Sequence, residues 1–243
     1  MTVVCGKPNP QQHPAKEKMK VKKTQDLLDL KPTQFAVGML EVDEKVKVVE
    51  AFGKRERRQW VEDNPVPVVI SPRKELYITD HHHFLVVCYH LGIRKVQVKV
   101  VEDLSKSHLT YDQFWKLMNK RRAVYPYCQF GEGPREPLYL PRDIRGLADD
   151  PYRSLAWFVR KAGAFENSDK NFAEFQWANF FRSQKLLSRV GPWGFARALV
   201  KAAKLAQSPK AKNLPGFGKL NLAEQKRARK KLNERVAEHL RKT

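Results

Sequence analysis

The sequence has few cysteines and no long apolar run. Cys5, Cys88 and Cys128 are its three cysteines in 243 residues, and no two of them form a CxxC pair. An odd number of widely spaced cysteines argues against a disulfide framework and favours a reducing compartment. No stretch reaches the length of a membrane span, and the first 20 residues lack the apolar core of a secretory signal. We therefore expect a soluble cytoplasmic protein with no membrane partner.

Acidic residues are also few compared with basic ones: the sequence has 26 Asp and Glu but 47 Lys and Arg, and its formal net charge is +21. The excess lies at the two ends: residues 1–25 carry +5 and residues 185–243 carry +13, whereas residues 26–184 carry +3. Basic ends favour a polyanion partner, because each neutralised phosphate releases counterions. Solvated tails that only aid solubility are the alternative interpretation.

The nearly neutral middle of the chain begins with an alternation of short helices and strands. "VDEKVKVVEAFGKRERRQWVED" has the three- and four-residue apolar spacing of a helix, which Gly53 interrupts. "NPVPVVIS" and "LYITD" are strand candidates, and "HHHFLVVCYHLGI" is a helix with a glycine stop. In "RKVQVKVVEDL" the valines alternate with polar residues, which predicts a third strand with one buried face. Together they predict an α/β (α+β) domain over residues 26–104.

The remaining sequence is predominantly helical. In "LADDPYRSLAWFVRKAGAF" Asp150 is the expected N-cap, Pro151 the first helical residue and Gly163 the stop. Glu174 follows among aromatic residues, either as an ion-pair partner of Arg153 or Arg182 or as a carboxyl group with a raised pKa. We predict a helical extension over residues 105–200, flanked by a mobile basic tail (1–25) and a basic helical tail (201–243). Nucleic-acid contacts are expected in the second tail, at Arg227, Arg229, Lys230 and Lys231.

Asp80 and His81–His83 stand where the second strand turns into a helix. The first N–H groups of a helix lack intrahelical partners, and with the helix dipole they form an anion site. With Asp80 as a cap, the histidines of the first turn would face a bound phosphate. A metal site using Asp80 and His82 is an alternative, although helical ligands are usually three or four residues apart. A histidine triplet that merely caps the helix is the third interpretation.

Several segments around this turn resemble the ParB/sulfiredoxin fold, in particular its branch of ParB-like nucleases. "ITDHHHFLVVCYHLGIRKVQVKVV" follows the strand–helix–strand layout of that fold, and "KPTQFAVGMLEVDEKV", "DDPYRSLAWFVRKAGAF" and "FAEFQWANFFR" are similar to the same branch. The resemblance covers roughly residues 26–185. It implies a small mixed-sheet α/β domain with an α-helical C-terminal extension and a phosphate site at the turn.

The sequence departs from the wider fold at two positions of the turn. His81 stands where the wider fold has Gly, and Phe84 stands where it often has Arg. The missing arginine removes a bidentate phosphate clamp, so His81 or a lysine such as Lys45 would have to compensate. The resemblance assigns catalysis to Asp80, His82 and His83, and phosphate binding to the three histidines and Lys45.

The resulting hypothesis is a nuclease or phosphodiesterase acting on a nucleic acid or nucleotide. His82 or His83 would act as general acid or base, while Asp80 would orient an imidazole or hold Mg²⁺ or another divalent metal. Two alternatives stay open. One is a non-catalytic nucleic-acid-binding protein that uses its basic tails, and the other is a nucleotide-dependent small-molecule kinase of the same fold.

Overall fold

The computed structural model describes residues 21–187 and 192–218, together with Lys230. The strands are β1 (Thr24–Asp26), β2 (Leu30–Lys31), β3 (Ala36–Val37), β4 (Val66–Ile70), β5 (Leu76–Ile78), β6 (Lys95–Asp103) and β7 (Ala148–Asp149). The α-helices are α1 (Met39–Glu50), α2 (Lys54–Glu62), α3 (His82–His90), α4 (Tyr111–Lys120), α5 (Pro151–Lys161), α6 (Ala173–Ser183) and α7 (Pro192–Ala206).

Five strands form a mixed sheet in the order β1-β6-β4-β5-β2. The central pair, β4 and β6, is parallel, with Val66 opposite Val98, and β5 returns antiparallel to β4. A parallel pair needs a crossover, and the segment containing β5 and α3 supplies it. The mixed α/β class expected from the sequence is therefore confirmed.

The sheet buries side chains on both faces. Val66, Val68 and Ile78 share one core with apolar residues of α1 and α3. On the other side, Val69 and Tyr77 pack with the apolar side of α4. Because both faces are covered, the short strands are held by helices rather than by their few ladder hydrogen bonds.

The helical extension has a core of its own and joins the sheet domain along a narrow seam. Trp177, Phe181 and Leu155 are fully buried in it. At the seam, β3 pairs in parallel with β7. A Cβ atom on Gly38 would lie 2.6 Å from the Ser154 hydroxyl and 2.7 Å from its backbone nitrogen, so only glycine allows this approach.

Some expected boundaries and patterns differ from the structure. The tail expected over residues 1–25 overlaps β1, which pairs with β6. The boundary expected at residues 200 and 201 falls inside α7, and Ala202 and Ala211 are buried in the extension's core. The alternation in β6 ends early, because Val96 and Val98 are buried but Val100 is 38% exposed. Among the described residues, no helix combines the length and apolarity that crossing a membrane would need.

Candidate functional site

His81, and not Asp80, occupies the N-cap position of α3. His81 is the N-cap residue and has a left-handed backbone, with φ 69°, while the helix start has no side-chain cap. Asp80 accepts a hydrogen bond from the His81 amide at 2.6 Å. The expectation that Asp80 caps α3 was therefore wrong, because its carboxylate is engaged one residue too early. A left-handed residue also explains the correspondence of His81 to a glycine in the wider fold.

The first helical amides of α3 find no acceptor among the residues that the structure describes. The Leu85 amide donates to the His81 carbonyl and so begins the regular ladder. The three preceding amides, those of His82, His83 and Phe84, donate to no acceptor in the described part of the chain. Unpartnered amides at the positive end of a helix dipole favour an anion.

His82 and His83 are buried and accept hydrogen bonds from the segment between β2 and α1. The Nε2 atom of His82 accepts from the Thr33 amide at 3.1 Å, and that of His83 accepts from the Gly38 amide at 3.0 Å. A neutral imidazole that accepts at Nε2 carries its proton on Nδ1. Each ring therefore holds a backbone segment through one nitrogen and keeps an N–H on the other.

Burial keeps both imidazoles neutral. It lowers the pKa of His82 to about 3, with a smaller contribution from the neighbouring His81. It also lowers the pKa of His83 well below its ordinary value, and the positive charges of Arg153 and Lys45 add to this effect. At neutral pH neither ring has a second proton to give, so both are hydrogen-bonding groups of fixed tautomer.

The turn lines a cleft of ≈ 580 Å³ between the sheet domain and the helical extension. Asp80, His82 and His83 lie on one wall, together with Thr79 and Gln34. The opposite wall comes mainly from the 167–175 segment, which is the end of the α5–α6 loop and the start of α6, and from the cationic side chains of Arg121, Arg122, Arg153, Arg160 and Lys170. The volume suits a ligand of nucleotide size.

A buried ion-pair network joins the two walls. Arg153, 7% exposed, binds Glu41 of α1 at 2.8 Å through Nη1 and Glu174 of α6 through Nη2. Arg160 binds the other oxygen of Glu174. Burial alone would lower the pKa of Arg153, but the two carboxylates outweigh it and the net shift is upward. The expected pairing of Glu174 with Arg153 is thus confirmed, whereas Arg182 pairs with Asp150 instead.

Glu41 is the residue of this network that sequence reasoning missed. It is 2% exposed and also accepts from Lys45 at 2.6 Å, while the His83 ring lies 3.4 Å away. A carboxylate among apolar residues of an amphipathic helix could have signalled a buried pair, because an unpaired buried charge is costly.

Two of the expected phosphate ligands lie away from the cleft. His81 is not among the lining residues of the cleft and packs against Phe84, with ring centroids 5.8 Å apart. Lys45 is also outside the lining, paired with Glu41. Phe84 itself is buried against Trp60. The expected nucleic-acid contacts Arg227, Arg229 and Lys231 lie outside the described residues, and Lys230 is exposed.

The described residues do not assemble a ready metal site. No group of three His, Cys, Asp or Glu side chains able to hold a metal is found among them. Asp80 offers one carboxylate, but the Nε2 atom of His82 is occupied by the Thr33 amide. The residues present therefore do not by themselves fit Mg²⁺ or zinc.

Comparison with known proteins supports the resemblance seen in the sequence. The family model described as "Putative ParB-like nuclease" matches residues 23–183. The crystal structure of protein Atu1540 from Agrobacterium tumefaciens is similar, with 35% sequence identity and a TM-score of 0.70 over 82% of this chain and 98% of that one. No curated protein matches the chain.

Proposed function

This chain belongs to the ParB-like nuclease family, and we propose that its cleft binds a phosphate-bearing ligand, a nucleotide or nucleic acid, at the start of α3. One observation carries the proposal: the amides of His82, His83 and Phe84 have no acceptor among the described residues, and His82 and His83 line the cleft. The family relationship and the surrounding cations support the same ligand class.

The two buried imidazoles are proposed as phosphate donors. Because Nε2 of each ring accepts a backbone N–H, the Nδ1–H group is what each ring can offer to a phosphate oxygen. The missing Arg at position 84 is then replaced from the opposite wall, where Arg122 and Lys170 form no ion pair with any described carboxylate. This arrangement would neutralise the ligand without His81 or Lys45.

The proposed reaction is hydrolysis of a phosphodiester. Water attacks phosphorus while Asp80 takes its proton, the bond to the leaving oxygen breaks, and that oxygen departs as an alkoxide that solvent water protonates. Asp80 is the carboxylate beside the free amides, whereas both imidazoles are neutral with committed lone pairs. Donors fixed in place stabilise the charge that develops on the phosphate oxygens.

The test compares the intact chain with Asp80→Asn. We expect the variant to bind nucleotide or single-stranded DNA as tightly as the intact chain, or more tightly, because a negative charge beside the phosphate is removed. Its hydrolysis of DNA, RNA and a chromogenic phosphodiester should fall by at least about a hundredfold, the usual range for loss of a general base. Each assay is run with and without divalent metal. Hydrolysis at the intact rate by Asp80→Asn would contradict the catalytic part of the proposal.

A second candidate function is non-catalytic nucleic-acid binding, favoured by α7. Its exposed face carries Arg197, Lys201 and Lys204 at helical spacing, and no acidic residue occurs between positions 185 and 218. Such a stripe suits a phosphate backbone. This alternative predicts that Arg197→Gln/Lys201→Gln lowers DNA affinity and its salt dependence, and that neither DNA nor ATP is turned over.

A further inference from the structure

A second concavity, of ≈ 610 Å³, lies between α2 and the start of β6. Its floor is apolar and consists of Phe52, Val61, Ile93 and Val96. The cleft described above shares no lining residue with it, because this groove uses the first residues of β6 and the cleft uses Val101 and Glu102 further along. It is therefore a separate surface.

This groove exists because helix α2 covers the sheet incompletely. None of its residues, Lys54–Glu62, is buried, in contrast to α1, α3, α4, α5 and α6. Trp60 and Val61 touch the core but stay partly exposed. An amphipathic helix normally buries its apolar stripe, so α2 keeps apolar surface that another chain can cover.

The rim of the groove is cationic. Lys54, Arg57, Arg58 and Lys95 surround the floor, and Glu62 is the acidic lining residue. Neither Lys54 nor Arg58 forms an ion pair with a described carboxylate, and Lys95 meets Asp26 only at 3.7 Å. The Nε atom of Arg57 is buried and has no hydrogen-bond partner among the described residues. The groove thus combines an apolar floor with a cationic rim on which Lys54 and Arg58 have no ion pair among the described residues.

We propose that this groove docks an acidic, amphipathic segment of a partner protein. Its apolar side chains would cover the floor between α2 and β6, and its carboxylates would face the rim. Complementary charge around an apolar centre is the usual arrangement of a specific protein interface. The proposal is independent of the function assigned to the cleft.

The cationic rim and the apolar floor of the groove favour an acidic, amphipathic segment over other occupants. The chain's own terminal segments are poor candidates, because residues 1–20 carry a net +3 and residues 219–243 carry a net +6. A nucleic acid would meet the same cations, but the floor offers one aromatic ring, Phe52, and is otherwise aliphatic. Single-stranded nucleic acids favour aromatic side chains on which their bases stack, whereas leucine-like side chains fit an aliphatic floor.

The test uses fluorescence anisotropy with the full chain and a fluorescein-labelled peptide that alternates pairs of Glu and Leu. The charge reversal Lys54→Glu/Arg58→Glu should weaken binding at least about tenfold. The matched control is Lys116→Glu/Lys120→Glu, an equal reversal on exposed α4 positions, which should change the affinity less than twofold. A peptide with Ser in place of Leu should bind at least about tenfold more weakly than the Leu peptide.

A peptide with Lys in place of Glu distinguishes loss of the binding site from unfolding of the groove variant. It should bind Lys54→Glu/Arg58→Glu and not the intact chain, which also shows that the variant is folded. Equal weakening by both reversals, or equal binding of the Ser and Leu peptides, would overturn the proposal. Binding of single-stranded DNA that is lost only in the groove variant would overturn it in favour of a nucleic-acid surface.

Discussion

The two walls of the cleft stabilise it by different means. The sheet wall carries His82 and His83, which are neutral, buried and bonded to backbone amides. The other wall carries charged groups, some paired with carboxylates, such as Arg153, and some without an ion pair in the described part of the chain, such as Arg122. Loss of either buried imidazole should therefore destabilise the fold, whereas a change at the cations without ion pairs should act on ligand binding alone.

The largest expected effect is loss of either buried imidazole. His82→Ala removes the acceptor of the Thr33 amide and leaves a cavity, so we expect a loss of about 3–5 kcal/mol in the free energy of unfolding. His83→Ala should cause a similar loss of stability, because it removes the acceptor of the Gly38 amide. Urea denaturation measures the effect, with exposed His90→Ala as a control expected within about 0.5 kcal/mol. A stable His82→Ala protein would show that the hydrogen bond to Thr33 is dispensable.

Replacement of Arg153 should have the next largest effect on stability, because this side chain joins the two walls of the cleft. Arg153→Ala leaves Glu41 and Glu174 buried with fewer partners, and we expect a loss of about 3 kcal/mol. Arg160→Ala, at a less buried arm of the same network, should cost about 1 kcal/mol. Denaturation of the two variants side by side tests this order, and equal losses would mean that the seam does not depend on Arg153.

The neutral histidines predict a pH dependence of stability. The folded pKa of His82 is lowered to about 3 from 6.5, so the unfolded chain takes up a proton that the folded chain excludes. Stability is therefore complete above pH 6.5 and falls with decreasing pH by up to about 1.4 kcal/mol per pH unit for each such group. His82→Gln, which keeps an acceptor that does not titrate, should reduce this slope between pH 6.5 and 5. An unchanged slope would contradict the buried neutral state.

The unpaired cations should give smaller, purely binding effects. Arg122→Gln and Lys170→Gln should each weaken phosphate-ligand affinity about three- to fivefold and lower its salt dependence, since each removes one exposed phosphate contact. Their unfolding free energy should match that of the intact chain. Lys116→Gln on α4 is the matched control, and an equal loss in that variant would mean that binding follows overall charge.

The smallest effect concerns the backbone of the turn. His81 is left-handed, so His81→Gly should change stability by less than about 1 kcal/mol, because relief of strain offsets the lost contact with Phe84. His81→Val should cost about 1–2 kcal/mol more than His81→Gly, because a branched side chain disfavours this conformation. Thermal or urea unfolding distinguishes the two, and equal stabilities would argue against the left-handed turn.

Local signals in the sequence predicted most of the elements. Asp150 caps α5 through the amides of Tyr152 and Arg153, Pro151 is its first residue, and Gly163 follows its end with φ 79°. Gly53 separates α1 from α2 as expected. Each of these depends on residues within one or two turns, and such preferences are legible without tertiary structure.

The site was less predictable because its contacts span the chain. Glu41 meets Arg153 across 112 positions, and Thr33 meets His82 across 49. The pattern DHHH predicted an anion site but could not show which histidines would be buried or that His81 would occupy the N-cap position. The sequence likewise could not predict that α2 covers the sheet only in part, because its amphipathic pattern resembles that of a fully packed helix.

Amide-resolved NMR during a titration with inorganic phosphate and then a nucleotide tests whether phosphate binds at the first three amides of α3. Such binding predicts saturable shifts at the amides of His82, His83 and Phe84, weakened in Arg122→Gln and absent when chloride replaces phosphate at equal ionic strength. Saturable shifts confined to other parts of the chain, with these three amides unmoved, would contradict it.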